Sequence, residues 1–247
     1  MTKIPTIVGL FTVVAVGGGV SRAGAQTQTD PPEYFANVNG GAQPQQRVFA
    51  TSSQFRIYNE NATIAMQGHV PRGLVVDGNV GWISAELNVG AALGFSSFVK
   101  KDSVAVTGSI PSPIVFNSLK TTTIALTGMR HIERAGYIQF LYRVPVGTSK
   151  SDVTLGVGPT VIKVTQDVAS ASASSVPLRT QDFLPSIETQ SKNVLGLVAS
   201  VDFSYMFTRT LGGGLFFRYA GAKADLPSIP ALKIGGIQAG LGIRIRL

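Results

Sequence analysis

Two histidines and no cysteine occur in the 247-residue chain. His131 lies in "GMRHIER", with Glu133 two residues on. In an extended chain that spacing puts both side chains on one face. An imidazole and a carboxylate so placed can share a proton, and with a serine they could activate a nucleophile for hydrolysis. His69, in "QGHVPRG", falls near an expected external loop. Two histidines without cysteine make a poor transition-metal site. The stretch "LGGGLFF" at 211–217 lacks the GK[ST] ending of a phosphate loop and precedes no helical pattern. No motif around these residues specifies a reaction. Neither a cofactor nor a metal is expected, and the chain does not read as an enzyme.

The remaining chemistry is ionic. Arg56, Glu60, Asp77, Glu133, Arg143, Asp202, Arg218 and Arg244 all occupy one parity of their segments, alternating with apolar residues. Such a face is tolerable in an interior only if its charges are paired. Arginine suits this, because its planar fork matches a carboxylate with two parallel hydrogen bonds. These eight residues are expected to form a charge network along an axis. Arg246, one alternation beyond Arg244, is expected to meet water at the mouth.

Such a face requires strands, and the sequence supplies them. The chain ends "GGIQAGLGIRIRL", with apolar residues on one parity and Gly, Gln and Arg on the other. Beyond the first 47 residues no stretch repeats every 3.6 residues; period-two segments recur between turn-like residues. Eight are read: 48–67, 73–84, 87–108, 123–146, 152–172, 192–208, 211–223 and 232–247. A change of parity near Asn59–Asn61 suggests a bulge in the first, and Pro159 suggests another in the fifth. The connections at 85–88, 147–150 and 208–210 are tight, whereas 110–120 and 171–190 are long. Short turns on one rim and long loops on the other are the pattern of an outer-membrane barrel, and an even strand count returns both chain ends to one rim. The short connection at 70–72 is the exception, because it falls on the long-loop rim.

Composition agrees. Only 14% of residues are charged, 44% are hydrophobic and 28 are glycine. Mean hydropathy is +0.25. That is apolar for a soluble protein and too polar for a helical bundle, but it suits strands apolar on one face only. The segments are also longer than the roughly 5–6 residues of soluble strands. The net charge of +8 comes from scattered residues with no long basic run, so nucleic acid is not an expected partner. Anionic lipid headgroups are more natural partners for basic strand ends. Trp82, Tyr142, Phe203, Tyr205 and Phe207 gather toward the short-turn ends and are expected to form an interfacial girdle. Residues 1–25 carry Lys3, an apolar stretch and Ala23-Gly24-Ala25, and read as a cleaved signal peptide. Residues 26–47, rich in Gln, Pro, Asn and Gly, read as a flexible periplasmic lead-in.

These features resemble the small outer-membrane β-barrel proteins of the OmpA/OmpX-like group, over roughly residues 48–247. In that family the last strand is a recognition signal for the barrel-assembly machinery. Ile243, Ile245 and Leu247 match its alternation, with Leu247 standing where the family has a terminal aromatic. Some barrels of this architecture are lipid-modifying enzymes with a His–Ser pair, so a lipid A-modifying hydrolase using His131 is the enzymatic alternative. The expectation is an all-β, eight-stranded, antiparallel, up-and-down transmembrane β-barrel in the bacterial outer membrane. Its role is structural, adhesive or ligand binding through the loops near 110–120 and 171–190, with an unidentified extracellular ligand, and its lumen is plugged by polar side chains. A narrow channel for small solutes is the functional alternative.

Overall fold

The computed structural model describes residues 32–146, 150–170 and 185–247. The expected signal peptide and most of the 171–190 loop lie outside the described residues. Among the described residues there are ten strands: β1 (Glu33–Gln43), β2 (Arg47–Ile57), β3 (Glu60–Val70), β4 (Gly73–Ile83), β5 (Val89–Pro111), β6 (Leu119–Pro145), β7 (Ser151–Ser170), β8 (Ser186–Met206), β9 (Leu211–Ala224) and β10 (Leu232–Arg246). All pair antiparallel. Eight of them, in the order β5-β4-β1-β10-β9-β8-β7-β6, close on themselves through β5–β6. Closure removes the free sheet edges, which lipid could not satisfy.

The strand count of eight holds, but its first member differs. The expected lead-in contains β1, which pairs with β10 on one side and β4 on the other. In "EYFANVNGGAQ", Phe35, Asn37, Asn39 and Gln43 face inward. The amide-rich composition that reads as flexibility belongs to a lumen-facing strand. The expected first strand, 48–67, is instead the β2–β3 hairpin, a branch outside the ring. Its parity change at Asn59–Asn61 is not a bulge but a two-residue turn. Tyr58 and Asn59 take φ of 53° and 62° there, as hairpin turns of the primed type require. The apparently short connection at 70–72 is thus only the foot of a long β1–β4 excursion, and the exception among the loops disappears.

Pro159 makes no bulge. The β7–β8 register runs through it unbroken, and the β6–β7 register resumes unshifted beyond it. The ladder simply skips the missing N–H. The shift lies instead between β5 and β6 at Asp102/Val104, where Gly128 adopts φ of +78°.

The wall has two storeys. From the short-turn rim upward, large apolar side chains point outward, among them Val80 (52% exposed), Ile138 (58%), Leu197 (68%) and Leu241 (66%). Above this belt β5, β6, β7 and β8 continue while β1, β4, β9 and β10 stop. The β2–β3 hairpin fills the gap by pairing β3 to the upper part of β5. The opening left between β2 and β8 is spanned by the β9–β10 connection. Ser228 there receives hydrogen bonds from Thr51 on β2 and from Gln190 on β8 (2.7 Å). This upper cylinder encloses an apolar core that includes Ile64, Met66, Phe98, Val106, Ile162 and Ile229, each at most 2% exposed.

Candidate functional site

The lumen of the lower storey is a chain of ion pairs. At mid-height Arg218 grips Asp77 through both guanidinium nitrogens, one bond measuring 3.0 Å, with the two side chains 1% and 0% exposed. Asn39 donates to the same carboxylate at 2.8 Å and the Tyr137 hydroxyl donates at 2.6 Å. The Arg218 guanidinium also stacks over the Tyr137 ring, 4.6 Å from its centroid. Tyr137 reaches Asp77 on β4 from β6, across the intervening β5. It can do so because residue 94, its partner on β5, is glycine; a Cβ there would run into the Tyr137 ring. This accounts for one of the inward glycines by close approach, not by backbone conformation.

Below this cluster Arg244 bonds Asn39 (2.5 Å) and Asp202 (3.3 Å). At the short-turn mouth Arg143 makes a two-pronged pair with Glu33 (2.8 and 2.9 Å). Arg246 is not left to water: it bonds Glu33 at 2.9 Å and also Asp152. A cavity of about 30 Å³ beside these groups has room for roughly one water.

The top of the lower storey is closed by a separate cluster. His131 Nε2 lies 2.7 Å from Glu133, and Nδ1 lies 2.5 Å from Gln166. Glu133 also accepts from Arg47 (2.8 Å) and from the backbone N–H of Gly235 (2.9 Å). Gly235, with φ of +80°, turns the β10 backbone toward that carboxylate. Arg47 donates in addition to the Lys233 carbonyl, which fastens the foot of the β2–β3 hairpin to β10. The Phe98 and His131 rings meet edge to face, and His131 is 3% exposed. His69 is separate, paired with Asp102 at 2.8 Å on the hairpin side.

Of the eight expected network residues, Asp77, Glu133, Arg143, Asp202, Arg218 and Arg244 converge on the lumen. Arg56 and Glu60 do not. They flank the β2–β3 turn at the outer tip, where Arg56 bonds the Asn59 carbonyl and Glu60 accepts from the Asn117 N–H. The misplacement follows from reading their hairpin as a wall strand. Sequence reasoning missed Glu33, Asn39, Arg47 and Asp152. The alternation of β1 would have shown Asn39, had its polar composition not been read as disorder. Trp82, Tyr142, Phe203, Tyr205 and Phe207 all point outward, 38–65% exposed. Tyr34 joins them opposite Trp82, and Tyr205 meets Phe207 edge to face at 5.6 Å. Ile243 faces outward between β1 and β9, Ile245 is half-buried, and Leu247 is 80% exposed.

No protein-family model matches the chain, and no curated protein matches it. Among solved structures it is similar to Neisserial surface protein A at 12% identity, covering 87% of this chain and 97% of that one, with a TM-score of 0.45. It is also similar to the N-terminal β-barrel domain of Pseudomonas aeruginosa OprF, at 9% identity over 87% and 97% of the two chains with a TM-score of 0.39. Ail, the attachment invasion locus protein of Yersinia pestis, solved with the heparin analogue sucrose octasulfate, gives 10% identity over 87% and 99% with a TM-score of 0.37. With its closed ring of eight antiparallel strands, outward apolar belt and short turns gathered at one rim, the chain has the architecture of the small outer-membrane β-barrels.

Proposed function

We propose that the protein is a non-conducting outer-membrane barrel whose work is done by the storey that projects from the membrane, as an adhesive or ligand-binding platform. The observation that carries this reading is the division of the interior. The Arg218–Asp77–Tyr137 cluster stands buried in the lumen, and the storey above it is packed with apolar side chains. On this reading neither leaves a solute path. The projecting storey ends at the β5–β6 turn, where Ile114, Val115 and Phe116 are 90%, 58% and 76% exposed. Three apolar side chains held at the tip of a rigid wall are a contact surface. The partner is an extracellular one. The surrounding lipid and, through the β10 end at Ile243, Ile245 and Leu247, the barrel-assembly machinery are the partners of the lower storey.

Two measurements test this. Planar-bilayer recording of the folded protein should show no steady conductance; a large, steady one would replace the platform with a channel. Cells displaying the barrel should lose adherence when Ile114, Val115 and Phe116 are all replaced by Ser, with barrel folding intact. A non-enzymatic role fits His131, whose two nitrogens are both engaged and whose ring is buried away from lipid. Mass analysis of lipids from cells with and without His131→Ala should therefore show no difference.

A further inference from the structure

On the outer wall, three pairs of cations stand directly opposite one another across neighbouring strands: Lys101 with Arg130, Arg134 with Lys163, and Lys223 with Lys233. All six are exposed. Like charges in this arrangement repel and destabilise a sheet. One acid relieves one of these cations, and the other acids nearby are engaged elsewhere. Asp167 pairs with Arg130, Asp102 pairs with His69, and Asp225 holds the Ala231 N–H in its own loop. Among the described residues, Lys101, Arg134, Lys163 and Lys223 have no acidic partner.

One lysine of each pair stands at the same distance along its strand. Lys101, Lys163 and Lys223 each stand twelve residues beyond the short-turn ends of their strands at Val89, Ser151 and Leu211. At about 3.3 Å per residue and a tilt near 40°, that is roughly 30 Å, the thickness of the hydrocarbon layer. Immediately below are Val161, Leu195 and Ile138, all exposed and apolar. Between the Lys101–Arg130 and Arg134–Lys163 pairs lies a rung formed by Val99 and Ile132.

We infer that these residues form a cationic collar that binds the phosphorylated headgroups of outer-leaflet lipids, with the acyl chains lying on the apolar wall beneath. The repulsion within Arg134–Lys163 and within Lys223–Lys233, which no acid among the described residues relieves, is then a binding site left open in the protein alone. Arg130 and Arg134 are four residues apart, about 13 Å along the strand. A head carrying two phosphates can therefore engage both pairs, whereas one phosphate engages only one. The ligand is a lipid and not a free anion, because the apolar wall and the collar are continuous. This inference rests on the membrane orientation of the barrel and not on the adhesive role of its tip.

The test is native mass spectrometry of the folded full-length protein, released from micelles doped with bis-phosphorylated lipid A, with its dephosphorylated form, or with inorganic phosphate. The wild-type barrel should retain the bis-phosphorylated lipid. Each cation facing an anionic lipid surface contributes about 1 kcal/mol. The Arg134→Gln/Lys163→Gln double variant should therefore retain roughly tenfold to thirtyfold less. Lys150→Gln/Arg209→Gln, at the opposite rim, should retain as much as wild type. Heat-modifiable gel mobility reports that each variant folds. Equal retention of the dephosphorylated lipid, undiminished retention by the Arg134/Lys163 variant, or displacement of lipid by millimolar inorganic phosphate would each overturn the collar.

Discussion

The lower and upper storeys of this barrel solve the same problem with opposite chemistry. Both are cylinders of strands whose interiors must be filled. The lower interior is filled by Arg218, Asp77, Arg244, Asp202 and their amide partners, and the upper by Met66, Phe98, Val106 and Ile162. In the lower storey the outward face is committed to lipid, so the polar residues of each alternating strand can only point inward. In the upper storey, which on the reading proposed above projects from the membrane, water takes the outer face and the ordinary soluble arrangement returns. The change comes at His131, Glu133 and Arg47, which form the floor of one compartment and the ceiling of the other. A single strand such as β6 thus carries Gln139 and Tyr137 inward below that level and Met129 inward above it.

The two fillings should fail differently. Asp77→Leu leaves the Arg218 guanidinium buried without its carboxylate, which costs about 3–5 kcal/mol. Urea unfolding of the detergent-folded protein should show that loss. Replacing both partners, Asp77→Leu with Arg218→Met, should restore most of it, since no charge is then stranded. If single and double variants were equally destabilised, the pair would not be what holds the lower storey. In the upper storey Ile64→Ala removes a side chain that is 2% exposed and costs about 2–4 kcal/mol. The effect should stay local: faster proteolysis of β2 and β3, with the barrel's gel mobility unchanged. Global unfolding at the same denaturant concentration as proteolysis would show that the two storeys are one cooperative unit.

The comparison also explains what the sequence disclosed. In the lower storey the alternation is strict, so the outward set of β8, Leu197 to Tyr205, and the inward Asp202 are placed by parity alone. Strand β1 escaped because its outward residues are small and its inward ones are amides; Phe35, Val38 and Tyr34 are too few to outweigh Asn, Gly and Gln. In the upper storey alternation persists, but parity does not say which cylinder a strand joins. Val48–Gln67 has the pattern of a wall strand, and only the φ > 0 turn at Tyr58–Asn59 turns it into a hairpin. Arg56 and Glu60 were misplaced for that reason. The pairing of Tyr137 with Asp77 across Gly94 spans three strands, and no local pattern encodes it.

That span offers a smaller test. Gly94→Ala puts a methyl group under the Tyr137 ring. Displacing the ring costs about 1–3 kcal/mol. The Gly94→Ala/Tyr137→Phe pair separates steric displacement from loss of the hydroxyl bond to Asp77. If Gly94→Ala were as stable as wild type, the ring would not depend on that glycine for its path.

The smallest effect belongs to the upper wall's outer surface, where Asp167 joins β6, β7 and β8. Burial raises its pKa, but this is outweighed by the hydrogen bonds from the Thr189 hydroxyl (2.7 Å) and the Arg130 backbone N–H (3.0 Å), and by the Arg130 guanidinium. The net result holds the carboxyl below its ordinary value. A depressed carboxylate stabilises the fold above its unfolded pKa, near 4, and that contribution is lost as pH falls through the folded value. The upper storey should thus loosen at pH 3 relative to pH 7, read as faster proteolysis within β7 and β8, while Asp167→Asn should be looser at pH 7 and change less between the two. The lower storey, bounded by lipid, should keep its gel mobility across the same range. Should the wild type and Asp167→Asn show the same pH response, acid sensitivity would belong to other carboxylates, and the outer surface of the upper storey would owe its order to the apolar core alone.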